Sequence, residues 1–340
     1  MKAIFLTKKG NAHEAFEIRE TETPKIKLGD DVLIKVEAFG LNYADVMARN
    51  GLYREAPPMP SIIGYEVVGV VQEVGADCDR NLIGKRVVGF TRFGGYAEYA
   101  ITKNFGCVEV GELEAGKALS IATQYVTAYY MTNIANNLFQ DDKVMIHSGA
   151  GGVGTALIQL CKLKGCTVFA NAGSTEKLEY IKNQGADYAI NYRTEDYEAE
   201  IKKILKKERL DCTFNPIAGS TFKKDFNLIG SAGKVILFGG AERSGKKWGI
   251  LSTLNFVRKM GIIIPIGLMM RSKGVIGVNM LKVGDNKPKL LTKCLVEITQ
   301  LIKDGKLNPH VGGEFMVDDI GDAHALLENR KSICKIIVKW

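Results

Sequence analysis

The chain has 340 residues, of which 46% are hydrophobic and 25% are charged, a composition that excludes large-scale disorder. This length exceeds the size at which one hydrophobic core keeps growing, so we expect two domains. The net charge of +8 is modest and argues against a nucleic-acid-binding protein, although a mildly basic surface suits small ligands that carry phosphate.

Neither the start of the chain nor its apolar stretches indicate export or membrane insertion. Met1–Leu6 is better interpreted as a first β-strand than as a signal peptide. The longest strongly apolar stretch, Met260–Met270, contains Pro265 and has 11 residues, whereas a helix needs roughly 20 to cross a bilayer. Seven cysteines without a C-x-x-C pair predict free thiols. We therefore expect a cytoplasmic protein without a membrane span.

The first 124 residues carry short apolar strands broken by glycine, a pattern typical of a partly open antiparallel β-barrel. The clearest are Val32–Val36, Val67–Val71, Arg86–Phe90 and Tyr96–Ala100. From residue 125 to 283, helices alternate with six apolar strands, which predicts a doubly wound parallel α/β sheet. These strands lie near residues 143–147, 167–171, 187–190, 211–214, 234–238 and 274–278.

The last 57 residues, 284–340, are expected to return to the first domain. They predict helices near 289–303 and 320–329 and strands at 314–317 and 335–338. The domains are then a catalytic domain of residues 1–124 and 284–340 and a dinucleotide-binding domain of residues 125–283. We expect the substrate in the cleft between them, where the carboxyl ends of the parallel strands open. The basic segment Ile201–Arg209 predicts a solvated amphipathic helix.

The segment Val144–Gly154 runs from a buried strand into a glycine-rich turn and a helix. Its glycines fit G-x-G-x-x-G, in which the first makes the tight turn, the second admits a pyrophosphate, and the third allows helix and strand to pack closely. The helix, Val153–Leu163, would direct its N-terminal N–H groups at the pyrophosphate. An ordinary strand-to-helix corner is the alternative. The predicted cofactor contacts here are Ser148, Gly149, Gly151, Gly152, Val153 and Gly154.

Several short motifs occur in a fixed order along the whole chain. They are Gly40–Asp45, Arg49–Tyr53, Gly64–Gly69, Gly94–Glu98, Val126–Tyr129, Gly149–Gly154 and Lys335–Val338. With them the chain resembles the medium-chain dehydrogenase/reductase superfamily, and within it the zinc-free quinone oxidoreductase branch, which includes zeta-crystallin-like enzymes. Ala44–Tyr53 and Asn308–His310 are similar to the vesicle amine transport protein homologues of that branch. The resemblance implies a GroES-like barrel domain and a Rossmann domain.

Two positions that carry zinc ligands in the alcohol dehydrogenases of this superfamily hold other residues here. Asn42–Asp45 stand in place of the cysteine, and Tyr65 in place of the histidine before Glu66. The four-cysteine lobe is also missing, because that stretch contains only Cys107. A site without thiolate or imidazole does not suit Zn²⁺, so we expect no metal. The four histidines, His13, His147, His310 and His324, are interpreted as structural.

A hydride acceptor that is not activated by a Lewis acid must already be electrophilic, which favours quinones and α,β-unsaturated carbonyls. By the family match, Asn42, Asp45 and Tyr53 would lie beside the nicotinamide and the acceptor carbonyl. Asn42 can donate from its amide, and Tyr53 can donate its phenolic proton. Two of these residues have an alternative role: Tyr53 could be an aromatic that only shapes the pocket, and Asp45 could be a helix cap or a turn residue.

The cofactor is expected to be NADPH. NAD-selective folds place an acidic residue at the end of the second strand, but this strand ends in Asn171–Ser174. Ser174, Lys177 and Tyr192 resemble the family's pocket for the 2′-phosphate, with an ordinary exposed helix lysine as the alternative for Lys177. The family match adds Thr127, Asn215, Phe238 and Gly239. Cys334 stands where the family has glycine before the closing lysine, Lys335, which puts the C-terminal cofactor contact in doubt.

Other functions remain open at this point. A low-turnover NADPH-binding scaffold, or a vesicle- or lipid-associated protein of the same fold, is the main alternative. The segment Phe256–Met280, with Arg258, Lys259, Arg271 and Lys273, could bind lipid or a partner, although a buried wall of the substrate pocket and a dimer surface are favoured. Reduction of an enoyl thioester would need an acyl channel that the sequence does not identify. The resemblance implies a homodimer that pairs through Gly274–Val278.

Overall fold

The computed structural model describes residues 1–243 and 249–340, which divide into two compact units. The first unit is Met1–Thr127 with Met280–Trp340, and the second is Ala128–Asn279. The C-terminal segment therefore belongs to the same unit as the N-terminal barrel strands. The junctions lie a few residues from those expected from the sequence.

The described residues form fifteen strands. In chain order they are β1 (Lys2–Leu6), β2 (Phe16–Glu20), β3 (Asp31–Leu41), β4 (Glu66–Val74), β5 (Arg86–Phe90), β6 (Tyr99–Lys103), β7 (Cys107–Glu109), β8 (Lys143–Ile146), β9 (Thr167–Ala172), β10 (Tyr188–Asn191), β11 (Leu210–Asn215), β12 (Ile229–Leu237), β13 (Gly274–Gly277), β14 (Val311–Met316) and β15 (Lys335–Lys339).

The same residues form twelve α-helices. They are α1 (Tyr43–Arg49), α2 (Ala115–Ser120), α3 (Val126–Tyr129), α4 (Gly152–Leu163), α5 (Thr175–Asn183), α6 (Tyr197–Leu205), α7 (Ser220–Leu228), α8 (Gly249–Met260), α9 (Pro265–Arg271), α10 (Met280–Asn286), α11 (Pro288–Lys303) and α12 (Ile320–Glu328). Two π-helical turns, Ile121–Tyr125 and Tyr130–Ile134, flank α3.

The first unit is a largely antiparallel sheet with strand order β14-β15-β3-β4-β5-β7, and β6 also pairs with β3. β3 is its central strand: it is almost wholly buried, with Lys35 and Glu37 as its exposed residues. The GroES-like barrel architecture is thus confirmed. Its core packs β3, β4 and β15 against the hairpin of β1 and β2 and against α12.

One predicted strand of this unit starts too early. Tyr96–Ala100 was expected, but β6 begins at Tyr99. Tyr96 lies outside this strand, because its N–H donates a hydrogen bond to Ile63 O and its carbonyl accepts one from Ile4 N. The alternation of apolar residues that predicted the strand continues through Tyr96, but the backbone of Tyr96 pairs with Ile63 and Ile4 instead of with β3.

The second unit is a six-stranded parallel sheet with order β10-β9-β8-β11-β12-β13. This is the doubly wound order, so the predicted Rossmann architecture is confirmed. The order reverses between β8 and β11, and in such sheets ligands bind beyond the carboxyl ends of the strands at that point. All six predicted strands are present, although β12 begins at Ile229 rather than near residue 234.

The predicted basic helix is α6, which ends at Leu205 rather than at Arg209. Ile201 and Leu205 are buried, whereas Lys202 and Lys203 are exposed. The solvated amphipathic interpretation of this segment is confirmed.

The segment from α8 to α9 does not form the favoured buried wall within the single chain, whereas the dimer surface favoured with it stays a prediction. Its apolar side chains are exposed in the single chain, including Ile262 at 93% and Met270 at 83%. By length and composition alone, the 19 residues Thr253–Arg271 are long and apolar enough to cross a membrane. The chain nevertheless leaves the helical conformation between α8 and α9, where Gly261 has a φ of +78°.

Candidate functional site

The glycine-rich turn follows β8 and precedes α4. Its left-handed residue is Ser148, with a φ of +55°, so the tight turn does not depend on a positive φ at Gly149. Gly149 leaves little space for a side chain, since a Cβ there would lie 3.1 Å from the Cβ of Ala170. At Gly154 a Cβ would lie 2.3 Å from the carbonyl oxygen of Ser148. The third glycine therefore lets α4 pack directly on the turn, as predicted.

The N-terminus of α4 faces this turn without a side-chain cap. Gly151 is the N-cap residue and has no side chain that could cap the helix. The first N–H groups of a helix have no partner within the helix, and together with the helix dipole they attract anions. Gly152, Val153 and Gly154 supply these groups here.

The predicted contacts of the second unit lie mostly at one edge of its sheet. Ser148 and Gly149 follow β8, Ser174 follows β9, Tyr192 follows β10, and Phe238 and Gly239 follow β12. Since the strands are parallel, all of these residues lie at their carboxyl ends. Ser174 also has a structural role as the N-cap of α5, where its hydroxyl accepts from Lys177 N. Whether these residues contact a cofactor stays a prediction.

Arg193 is a basic residue of this edge that the sequence analysis missed. A Cβ on Gly173 would lie 2.5 Å from the hydroxyl oxygen of Tyr192 and 3.2 Å from Nε of Arg193. Both side chains therefore reach over the backbone just before Ser174, and both are exposed. The adjacency of Arg193 to Tyr192 in the sequence was the available signal.

Asn215 differs from the other predicted contacts because its side chain is fully buried. Its Oδ1 accepts from Ile217 N and Ala218 N, each at 2.8 Å. Its Nδ2 donates to Asp225 Oδ2 at 2.6 Å. The amide is thus occupied within its own unit, and a cofactor contact of Asn215 stays a prediction.

Thr127 belongs to the first unit and lies in α3, between the two π-helical turns. Its hydroxyl donates to Thr123 O at 2.5 Å, and 8% of the residue is exposed. This bond leaves the hydroxyl oxygen as an acceptor.

Four polar residues meet where β3 ends and α1 begins in the first unit. Asn42 Nδ2 donates to Glu66 Oε1 at 2.7 Å, and the Lys335 ammonium pairs with the same oxygen. Asp45 Oδ2 accepts from the backbone N–H of Asn42 at 2.8 Å. The structure therefore brings the predicted Asn42 and Asp45 together, and it adds Glu66 and Lys335, which sequence reasoning did not place there.

Burial controls the protonation of Asp45, which is fully enclosed. Loss of solvation raises the pKa of its carboxyl to about 8, and the charge of Glu66 acts in the same direction. The backbone N–H of Asn42 and the ammonium of Lys335 oppose this shift of the pKa. Asp45 therefore holds its proton at neutral pH. It also caps α1 through Asn42 N, which is the alternative role named for it.

Tyr53 is half-buried and lies edge-on to Tyr65, with ring centroids 6.0 Å apart. Burial raises the pKa of Tyr53, and the carboxylate of Glu55 raises it further. Tyr53 thus keeps its proton at neutral pH. Tyr65 is buried and packs between Tyr53 and Phe93.

Metal ligands are not grouped within residues 1–243 and 249–340. No three or more His, Cys, Asp or Glu side chains in these ranges could hold one ion. His147 and His324 are buried and hydrogen-bonded, to Asp225 and to Tyr96 respectively. Lys335, which follows Cys334, is fully buried against Glu66.

Comparison with known proteins gives two family matches. The alcohol dehydrogenase GroES-like domain matches residues 29–112, and the zinc-binding dehydrogenase domain matches residues 152–282. A synaptic vesicle membrane protein VAT-1 homolog of Homo sapiens is 31% identical over 308 residues, which cover 90% of this chain and 78% of the relative. The chain belongs to the zinc-free quinone oxidoreductase branch of the medium-chain dehydrogenase/reductases, close to the VAT-1 homologues.

Other relatives are similar in sequence or structure over most of the chain. The VAT-1 homolog of Danio rerio is 33% identical over 93% of this chain, which spans 65% of that relative's length. Quinone oxidoreductase of Homo sapiens is 26% identical over 92% of the chain. The structure of mycobacterial Rv1454c complexed with NADPH is 26% identical, with a TM-score of 0.86 and full coverage of both chains.

Proposed function

We propose that this protein is an NADPH-dependent oxidoreductase that transfers hydride to a quinone or an α,β-unsaturated carbonyl without a metal. The uncapped N-terminus of α4 above the Ser148–Gly154 turn is the observation that carries the proposal. It offers N–H groups and a positive dipole end to a pyrophosphate. The similarity to Rv1454c, which was crystallised with NADPH, and to quinone oxidoreductase supports the same choice.

Selectivity for NADPH over NADH is assigned to the edge of the sheet beyond β9 and β10. The strand end carries no carboxylate that would repel a 2′-phosphate, because Asn171 is followed by Ala172, Gly173 and Ser174. Ser174, Lys177 and Tyr192 are the residues we assign to the phosphate, and Arg193 adds a guanidinium over Gly173. Charge-assisted hydrogen bonds of this kind are about twice as strong as neutral ones.

The residues of the first unit are assigned to the acceptor. When bound, the reduced nicotinamide supplies the hydride. Asn42 directs one amide N–H at Glu66, which leaves its second N–H for an oxygen on which charge develops. Asp45 holds the backbone of Asn42 in place. Tyr53 retains its proton at neutral pH and donates it to the acceptor oxygen.

The test combines binding and turnover. Calorimetry should show NADPH binding well above NADH binding, and NADPH should be oxidised in the presence of a panel of quinones and enones. Tyr53→Phe should lower kcat while leaving the Kd for NADPH unchanged, because the phenol acts only on the acceptor. Absence of NADPH binding would overturn the proposal, and an unchanged kcat in Tyr53→Phe would remove that residue from the mechanism.

A membrane-associated role is the second candidate, and the exposed apolar side chains of the segment from the end of α8 through α9 favour it. Ile262, Ile264, Met269 and Met270 are all more than half exposed. Beside this segment, Arg209, Arg271 and Lys273 line a pocket of about 370 Å³. Apolar side chains next to cations suit the interface of an anionic bilayer. The relatives named after synaptic vesicle membranes agree with this candidate.

Co-sedimentation with vesicles tests the second candidate. Binding to vesicles that contain phosphatidylserine, but not to pure phosphatidylcholine, would support it, and Met270→Asp should abolish the binding. Leu28→Asp is the control, since Leu28 is also exposed but lies in the first unit. Lack of binding to either vesicle, together with NADPH turnover, would leave the cytoplasmic enzyme as the function.

A homodimer is part of the proposal. In the described part of the chain β13 pairs on one side only, with β12, and an unpaired edge is a template for a second copy. The apolar segment that precedes β13 would be covered in such a pair. Light scattering should give twice the mass of the chain, and Val275→Pro at the edge should give a monomer, because proline removes a ladder donor.

A further inference from the structure

A group of buried polar side chains lies beneath the glycine-rich turn of the second unit and is not used by the proposed reaction. Its five members are at most 6% exposed: His147, Asn171, Tyr197, Asn215 and Asp225. They come from β9, β11, α6, α7 and the residue after β8. The side chain of Asn171 joins the group to the turn, because Ser148 N donates to Asn171 Oδ1 at 2.9 Å; the backbone adds a bond from Gly149 N to Asn171 O at 2.9 Å.

The donors and acceptors of this group can be assigned beginning with Asn215. Its Oδ1 accepts from two backbone N–H groups, so its Nδ2 must be the atom that faces Asp225. Tyr197 also donates to this carboxylate, from its hydroxyl to Oδ1 at 2.9 Å. Both oxygens of Asp225 therefore accept hydrogen bonds, one from each neighbour.

The donors and acceptors of Asn171 and His147 can be assigned beginning with the glycine-rich turn. Because Asn171 Oδ1 accepts from Ser148 N, its Nδ2 is the atom that lies 3.0 Å from His147 Nδ1 and must donate to it. The proton of the neutral imidazole is then on Nε2, which lies 2.9 and 3.1 Å from the two oxygens of Asp225. Both ends of the chain of bonds thus require the same tautomer of His147.

We propose that Asp225 is a positioning residue for the dinucleotide-binding turn. It fixes the proton of His147 on Nε2, which makes Nδ1 an acceptor and orients Asn171, and Asn171 in turn holds the N–H of the left-handed Ser148. The inference rests on the proposed function, since it assigns Asp225 and His147 a role in NADPH binding that acts through the turn. A buried histidine that only fills space would not need this direction of bonds.

Asp225→Asn reverses the chain of bonds with minimal change of shape. The new amide must turn its oxygen to Asn215 Nδ2, so its nitrogen takes the position of Oδ1, 2.9 Å from Tyr197 Oη and 2.9 Å from His147 Nε2. The amide oxygen keeps only the longer contact of 3.1 Å to Nε2, so the shorter contact favours a donor on the amide and an acceptor on the imidazole. The proton of His147 then moves to Nδ1 and opposes the N–H of Asn171. Either this contact breaks, or Asn171 rotates and points its donors at Ser148 N. We expect the Kd for NADPH to rise about tenfold or more, as for a buried donor left without its partner.

A second substitution restores the bonds in the reversed direction. In the variant with both Asp225→Asn and Asn171→Asp, the new carboxylate accepts from His147 Nδ1 and from Ser148 N. The network again carries one negative charge, and the double variant should bind NADPH more tightly than Asp225→Asn. Tyr197→Phe is the control: it removes one bond to Asp225 but leaves the tautomer, so its Kd should remain within about twofold of the wild-type value even if the melting temperature falls.

Nitrogen NMR of the imidazole in the ligand-free protein provides the readout that is independent of binding. The wild type and Tyr197→Phe should show the Nε2–H tautomer of His147, and the double variant should show Nδ1–H. If the wild type carries the proton on Nδ1, or if Asp225→Asn binds NADPH as tightly as the wild type, the inference is wrong. Failure of the wild type to bind NADPH would instead overturn the proposed function, and the tautomer would still be measured.

Discussion

The ammonium of Lys335 and the carboxylate of Glu66 form an ion pair in which both side chains are fully buried. Gly40 makes room for it, because a Cβ at this residue would lie 2.4 Å from Cε of Lys335 and 2.5 Å from Oε1 of Glu66. Gly40 belongs to β3, Glu66 begins β4 and Lys335 begins β15. The pair thus joins β4 to β15 across Gly40 of β3, directly beside Asn42.

Removal of the lysine should destabilise the protein strongly. Lys335→Met leaves the carboxylate of Glu66 buried without a counter-ion, which costs about 3–5 kcal/mol of the free energy of unfolding. Combining Lys335→Met with Glu66→Gln removes both charges and keeps an amide oxygen for Asn42 Nδ2, so most of the loss should be recovered. Denaturant unfolding at neutral pH measures both variants. Equal losses in the two would mean that packing, and not charge, holds these strands together.

Asp45 should make the stability of the wild type depend on pH. Its carboxyl ionises near 3.8 in the unfolded chain, whereas burial raises its pKa to about 8 in the folded protein. Between these values the folded state holds one more proton, so the free energy of unfolding falls by up to about 1.4 kcal/mol per pH unit as the pH rises. The contribution is present at low pH and is lost as the pH rises through the folded pKa.

Asp45→Asn removes this dependence. Relative to the wild type, the variant should gain stability between about pH 5 and pH 8, as followed by denaturant midpoints at a series of pH values. The same substitution at Asp318, an exposed residue of the first unit, is the control and should show no such trend. A constant difference between Asp45→Asn and the wild type would show that this carboxyl ionises at its ordinary pKa.

The architecture was predictable because it follows from local patterns. The parallel strands of the second unit are buried on both faces, so they appear in the sequence as continuous apolar runs such as Val144–Ile146, which is fully buried. A local pattern failed at Tyr96. The alternation of apolar residues continues through this residue, but its backbone N–H donates to Ile63 O rather than pairing with β3. Pairing depends on the rest of the chain, which a local pattern does not contain.

The polar contacts of the site were the least predictable part. Lys335 and Glu66 are separated by 269 positions, and His147 and Asp225 by 78, so no spacing rule connects them. Asn42 and Asp45 could be grouped from the sequence because they are neighbours at the start of one helix. For the segment that contains Ile262 and Met270, the sequence left a buried wall, a dimer surface and a lipid- or partner-binding patch as choices, since an apolar run indicates that a segment must be covered but not by which surface.

Cofactor selectivity should depend on the basic residues after β9 and β10. Lys177→Ala and Arg193→Ala should each raise the Kd for NADPH by about 10- to 100-fold, as expected for the loss of a hydrogen bond between charged groups. The Kd for NADH, which has no 2′-phosphate, should not change. Lys182→Ala, in the last turn of the same helix as Lys177, is the control. Parallel loss of NADH and NADPH binding would mean that these residues support the fold rather than recognise the phosphate.

Gly154 should be the least replaceable residue of the turn, although it lies in a helix where alanine is usually preferred by about 1 kcal/mol. A Cβ at this residue would lie 2.3 Å from Ser148 O and 2.8 Å from Gly149 Cα. Both are backbone atoms, so relief of the contact requires α4 to move away from the turn. Gly154→Ala should therefore lower the free energy of unfolding by about 1–3 kcal/mol. NADPH binding should weaken as well, because the N–H groups of Gly152 and Val153 move with the helix.

Gly267→Ala provides the matched comparison for this effect. Gly267 also lies within a helix of the second unit, α9, but a Cβ there meets nothing within 4 Å. That substitution should be neutral or stabilise the protein by up to about 1 kcal/mol, with the Kd for NADPH unchanged. Thermal unfolding and calorimetric titration of the two variants separate the cost of the contact from the gain in helix propensity. Should Gly154→Ala match Gly267→Ala in both measurements, close packing of α4 on the turn is not what the third glycine provides.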